Sequence, residues 1–155
     1  RQMCIRDRIE DLREIILSLA YSDNSLYNKI MTKYALITPR HMIRLKEQVN
    51  NIGDHYSDRS GFVDYYHAMD YVEELNTLMD ENIPLLLEKN CRMEAFELVN
   101  CVFYDIGNRD MDDSDGGISF VANNCYEYWQ TILHECNDEE KEIMFQWFDI
   151  IRKIM

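Results

Sequence analysis

The chain is poor in residues that interrupt regular structure, because it has only 5 glycines and 2 prolines among 155 residues. Long apolar runs are also absent: no stretch approaches the roughly 20 residues that a membrane helix needs. Residues 1–8 are too highly charged to open a secretory signal, and no long apolar core follows them. We therefore expect a protein that is regular over most of its length and makes no contact with a membrane.

Positive charge is scarce as well. The chain has 16 lysines and arginines against 29 aspartates and glutamates, which gives a formal net charge of −13. Such a surface disfavours direct binding to nucleic-acid phosphates or to an anionic membrane. It suits a partner that is itself basic, either another protein or another domain of the same chain.

The five cysteines include no Cys-x-x-Cys pair, and their number is odd. Most of them fall on apolar or mixed helical faces, where a free cysteine behaves as a small hydrophobic residue. Free thiols are typical of a reducing compartment, so the sequence indicates a cytoplasmic protein without disulfides.

Apolar residues make up 46% of the chain and recur every three to four positions. This spacing predicts an all-α protein of about eight helices. Thr38 and Asn137 are predicted N-caps, and Asn82-Ile83-Pro84 is predicted to end one helix and start another. The predicted helices cover approximately residues 3–20, 26–37, 39–56, 62–79, 83–89, 92–107, 118–136 and 138–155.

Short links between these helices predict antiparallel helical hairpins. Stacked hairpins would form an α-solenoid-like array, similar to TPR or HEAT repeats in architecture although no clean repeat occurs in the sequence. The first eight residues, Arg-Gln-Met-Cys-Ile-Arg-Asp-Arg, resemble a translated sequencing adapter. We therefore expect residues 1–8 to be non-native and residues 9–155 to be a helical domain from a larger protein.

The most unusual segment is an acidic stretch that contains Asp110, Asp112, Asp113 and Asp115 and ends in two glycines. It does not fit an EF-hand. When either Gly116 or Gly117 is placed at loop position 6, the other ligand positions hold unsuitable residues. The favoured interpretation is a helix–helix linker in which Ser114 or Asp115 caps the next helix and the acids face water or Arg109. A divalent-cation site of another type is the alternative.

Two further groups are candidates for function. His67 shares one side of a predicted helix with acidic neighbours, which could make a metal-assisted enzyme site. A solvated helix face is the simpler interpretation, so we predict no catalytic residue. The acidic neighbours are Asp64, Asp70 and Glu74.

The last two predicted helices are rich in aromatic residues. We expect most of these rings to be core, with any exposed ones marking an interaction surface. The candidate interaction residues are Tyr126, Trp129, Trp147 and Phe148.

Five segments in residues 62–149 carry a family resemblance: Phe62–Asp70, Met93–Leu98, Asp110–Gly116, Asn123–Trp129 and Met144–Phe148. Together they resemble the helical region that follows the zinc finger in bacterial SWIM zinc finger family proteins. The resemblance implies a non-catalytic helical scaffold or protein-interaction domain. The finger itself, Cys-x-Cys followed by Cys-x-His, is absent from the sequence, so we expect zinc only in a finger outside this segment and no cofactor within it.

Overall fold

A computed structural model describes residues 2–154, with side chains from Cys4 onward. Over these residues the chain forms seven helices and no strand, which confirms the predicted all-α class. The helices are α1 (Gln2–Ser22), α2 (Asn24–Tyr34), α3 (Pro39–Tyr56), α4 (Tyr65–Glu88), α5 (Arg92–Asn108), α6 (Gly117–Glu135) and α7 (Asp138–Ile154).

Both predicted N-caps are confirmed. Thr38 Oγ1 accepts a hydrogen bond from His41 N at 3.2 Å, and Pro39 occupies the first turn of α3. Asn137 Oδ1 accepts a hydrogen bond from Glu140 N at 2.9 Å at the start of α7. Each cap satisfies one N–H group that has no partner within its own helix.

The predicted break near Pro84 is wrong, because α4 runs without interruption from Tyr65 to Glu88. Asn82 does not cap a new helix. It is buried within α4, where its Nδ2 donates to Leu78 O at 2.9 Å and its Oδ1 accepts from Thr32 Oγ1 at 2.9 Å. Pro84 lies on the exposed side of the helix, so burial of the opposite face keeps the helix continuous despite the missing N–H.

The helices pack mainly with their neighbours and next neighbours in chain order, from α1 on α2 through to α5 on α6. α7 joins this arrangement through its side chains, since the rings of Trp147 and Phe148 contact Phe96 of α5. α4 and α5 lie at the centre of the core, where Leu75 and Leu98 are fully buried. α1 packs chiefly on α2 and forms one end of the molecule.

All five cysteines lie in the described residues, where they are free thiols. Cys125 and Cys136 are buried, whereas Cys4 on α1 is exposed. Burial raises the pKa of the Cys125 thiol to about 12. The core thiols therefore remain protonated and pack as hydrophobic side chains.

Candidate functional site

The acidic loop between α5 and α6, residues 109–116, is tied to the link that precedes α4. Val63 N donates to Asp110 O at 2.9 Å, and Asp112 N donates to Val63 O at 2.9 Å. These bonds form an isolated parallel β-bridge between Val63 and Met111. A bridge of one residue pair has no periodicity, so sequence patterns contain no signal for it.

One loop carboxylate is bonded within the loop itself. Asp112 Oδ1 accepts from Ser114 N at 3.0 Å and also from the Ser114 hydroxyl. Hydrogen bonds from Ser114 to the charged form lower the pKa of the Asp112 carboxyl. Asp112 therefore stabilises a tight turn of its own chain.

A second carboxylate closes the start of α6. Asp113 Oδ1 accepts from Ile118 N at 2.8 Å. The prediction that Ser114 or Asp115 caps this helix is wrong, because the cap position belongs to Gly116, which has a φ of +74° and no side chain to accept a bond. Asp113 reaches across this left-handed turn and supplies the missing acceptor.

The remaining loop carboxylates, Asp110 and Asp115, are exposed. Within residues 2–154, no group of three or more Asp, Glu, His or Cys side chains is placed to hold a metal ion. A calcium site needs six to eight converging oxygen ligands. The described geometry of the loop therefore gives the cation-binding alternative no support.

The loop acids were predicted to face water or Arg109, and the second alternative is wrong, because Arg109 turns toward α3 and α5. Its Nη2 donates to Asp105 Oδ1 at 2.9 Å, and its Nε donates to Asp105 Oδ2 at 3.2 Å. Its Nη1 donates to Ser57 Oγ at 2.9 Å and to Asp54 Oδ1 at 3.3 Å. The bidentate bond to Asp105 fixes the plane of the guanidinium.

Two neighbours shape this Arg109 network. Tyr71 is buried, and its hydroxyl donates to Asp105 Oδ2 at 2.5 Å. Burial, followed by the bond to Asp105, raises the pKa of the Tyr71 phenol. Gly53 leaves room for the guanidinium, because a Cβ at Gly53 would lie only 2.2 Å from the Arg109 Cζ. The sequence contains no local pattern that joins residues from three separate helices.

His67 and Asp64 pair at the exposed N-terminus of α4. Asp64 Oδ1 accepts from His67 N at 3.1 Å and lies 2.8 Å from His67 Nδ1. Their side chains are 55% and 49% exposed. Asp70 and Glu74 are exposed too, so these groups do not line a buried cleft. Asp64 acts as the N-cap of α4, so its pairing with His67 has a structural role.

Three of the four candidate interaction residues pack together between α5, α6 and α7. Trp129 lies 5.5 Å from Trp147 and 5.1 Å from Phe148, measured between ring centroids. Trp129 Nε1 donates to Asn100 Oδ1 at 2.9 Å. Tyr126 differs from these three because it is exposed and bonds to Gln130 on its own helix.

An open groove of about 560 Å³ runs beside this cluster, and we call it the α5 groove. Its floor is apolar and aromatic, and it lies among α3, α5 and α7. Lys46 Nζ and Glu97 Oε2 pair across one rim at 2.8 Å. The other lining residues are Met93, Phe96, Asn100, Cys101, Tyr104, Ile143 and Trp147.

A buried polar cluster joins α2, α3 and α4, and sequence analysis missed it. His41 Nε2 lies 2.7 Å from Thr32 Oγ1, and Asn28 Nδ2 donates to Gln48 Oε1 at 2.7 Å. His41 Nδ1 and Asn28 Oδ1 are buried and have no hydrogen-bond partner among the described residues. Burial, with the nearby charges of Arg44 and Lys89, lowers the pKa of His41. His41 is therefore held neutral.

Comparison of the chain with family models, curated proteins and solved structures gives no match. The resemblance to SWIM zinc finger family proteins therefore stays a prediction, as does the cytoplasmic location. Within residues 2–154, no helix is both long enough and apolar enough to cross a lipid bilayer.

Proposed function

We propose that this chain is a non-catalytic helical scaffold that binds protein segments in the α5 groove, as the helical domain of a cytoplasmic SWIM-type zinc finger protein. The single observation that carries the proposal is an open groove with an apolar and aromatic floor, lined by residues of α3, α5 and α7. The packing of neighbours and next neighbours in chain order supports a solenoid-like stack. Such stacks present extended surfaces to partners.

The lining of the groove defines the chemistry of its occupant. Ile143 and Tyr104 remain 53% and 45% exposed, so an apolar side chain from a partner could cover them. The chain as a whole carries a net charge of −13, and Glu139 and Glu142 are exposed on α7 just before Ile143. The occupant that fits is a peptide segment with apolar anchors flanked by lysine or arginine.

Selection of a displayed library of random peptides on the folded protein tests this proposal. We expect enriched peptides to combine apolar anchors with basic residues. Their binding should weaken as salt is added, because attraction between exposed charges is screened. Ile143→Asp should reduce their affinity by roughly tenfold or more, since it puts an unpaired charge in the contact.

Phe145→Asp is the matched control. Phe145 lies two positions away on α7 and is also 53% exposed, but it lines a different depression with His134 and Lys141. The selected peptides should bind this variant like the unaltered protein. Equal losses in both variants, or a selection without enrichment, would contradict the proposal.

A further inference from the structure

α1 presents an apolar stripe to solvent instead of to the core. Acidic residues lie on the opposite side of the helix, and a third side meets α2 around the buried Ala20. A helix whose apolar face is open in this way is normally covered by another element. The residues of the stripe are 49–60% exposed, and they are Ile9, Leu12, Ile15, Ile16 and Leu19.

The spacing within the stripe indicates what covers it. Ile9, Leu12, Ile16 and Leu19 are separated by three, four and three positions, which is the a/d spacing of a coiled coil. Isoleucine occupies both a positions and leucine occupies both d positions. In a parallel pair of helices, this combination favours two strands over three or four.

Charge favours a second copy of the chain over a basic partner at this end. Residues 9–22 contain one arginine and three carboxylates, a net charge of −2, whereas residues 23–155 carry a net charge of −13. Two copies that meet through α1 thus approach at their least charged ends. A basic segment would be attracted to the acidic remainder of the surface instead.

The available area is also sufficient. Five side chains that are each about half exposed can bury on the order of 500 Å² per copy, and a symmetrical pair would reach about 1,000 Å², the lower limit of a specific interface. From these observations we propose that the protein forms a homodimer in which α1 packs against α1 of a second copy through this stripe.

Sedimentation equilibrium of the whole chain over a range of concentrations tests the dimer. The mass should rise from 18.6 kDa toward twice that value with increasing concentration. Leu12→Asp should weaken association by about 100-fold or more, because each dimer would then bury two unpaired charges. Ile16→Ala should weaken it by roughly tenfold without adding a charge or reducing helix propensity.

Ser18→Asp is the control, because it adds the same charge to an exposed position of α1 outside the stripe. It should leave the dimer intact, and circular dichroism of each variant should show unchanged helix content. A mass of 18.6 kDa at every concentration would overturn the proposal. Equal weakening by Ser18→Asp and Leu12→Asp would overturn it too.

Discussion

The guanidinium of Arg109 has a structural role that depends on its burial. The Arg109 and Asp105 side chains are only 14% and 7% exposed, so neither charge has much water as an alternative partner. Removing one member of such a pair leaves the other uncompensated, which costs several kcal/mol. The side chains of Arg152 and Asp149 on α7 also pair, but they are 80% and 65% exposed. Water can solvate either charge there, so loss of one partner costs little.

A double-mutant cycle with Gly53 tests the role of Arg109. Arg109→Ala should lower the free energy of unfolding by about 3 kcal/mol. Gly53→Ala should lower it by about 1 to 2 kcal/mol, because its new Cβ displaces the guanidinium from Asp105. In the Arg109→Ala background the same Gly53→Ala change should instead raise it by about 0.5 to 1 kcal/mol, since alanine is the better helix former.

Urea unfolding followed by circular dichroism measures all four members of the cycle. Arg152→Ala serves as the surface control and should change the free energy of unfolding by less than about 0.5 kcal/mol. Gly53→Ala could also change the free energy of unfolding in the same direction in both backgrounds. In that case the close contact with Arg109 would not be the reason for glycine at position 53.

Single residues were predictable where their role was local. Thr38 and Asn137 cap the helices that follow them, and such caps depend on residues a few positions away. Arg109 was assigned to the acidic loop because those acids are its nearest neighbours in sequence. Its actual partners include Asp54 and Ser57, more than 50 positions away, and their identity depends on how α3 packs beside α5.

At the scale of the helices, His41 makes the stability of the packing between α2, α3 and α4 depend on pH. The folded protein lowers the pKa of His41 below its ordinary value of 6.5, so the unfolded chain binds a proton that the folded protein excludes. The free energy of unfolding should therefore decrease as the pH falls below 6.5, until the lowered pKa of the folded state is reached.

Thermal unfolding at a series of pH values separates this effect from the titration of other groups. His41→Gln removes the titrating ring and should flatten the loss of stability below pH 6.5 relative to the unaltered protein. His134→Gln makes the same change at an exposed position and serves as the matched control. A His41→Gln curve that runs parallel to that of the unaltered protein would show that His41 is not responsible.

The helices themselves were largely predictable from apolar spacing. Six of the seven begin and end within about three residues of their predicted limits, which is the accuracy that spacing allows. The error lies in α4, where Pro84 and Asn82 carry the usual signals of a helix start. Those signals describe local preference, and burial of Ile83 and Leu86 on the opposite face outweighs them.

At the scale of the whole molecule, stability should vary along the chain. α4 and α5 are packed by helices on several sides, whereas α1 packs chiefly on α2. In arrays with mainly near-neighbour contacts, the ends open more readily than the middle. Hydrogen exchange of the dilute, monomeric protein should therefore be slowest in α4 and α5 and fastest in α1. Equal protection of α1 and α4 would contradict this gradient.

The sequence indicates the all-helical class and the acidic surface, because both follow from composition and spacing. It does not indicate which stripes face the core. The stripe of α1 and that of α4 have similar spacing, yet Leu12 is exposed while Leu75 is fully buried. Burial depends on which helices meet, and the α5 groove likewise exists only because α3, α5 and α7 come together.

The exposed thiol on α1 makes this end of the protein directly observable. Among the five cysteines, all within the described residues, Cys4 alone is exposed, and it lies near the start of the helix, outside the apolar stripe. A thiol-reactive fluorophore should therefore attach preferentially at Cys4 without an engineered label site. Energy transfer between donor- and acceptor-labelled copies would then report directly on contact between their first helices.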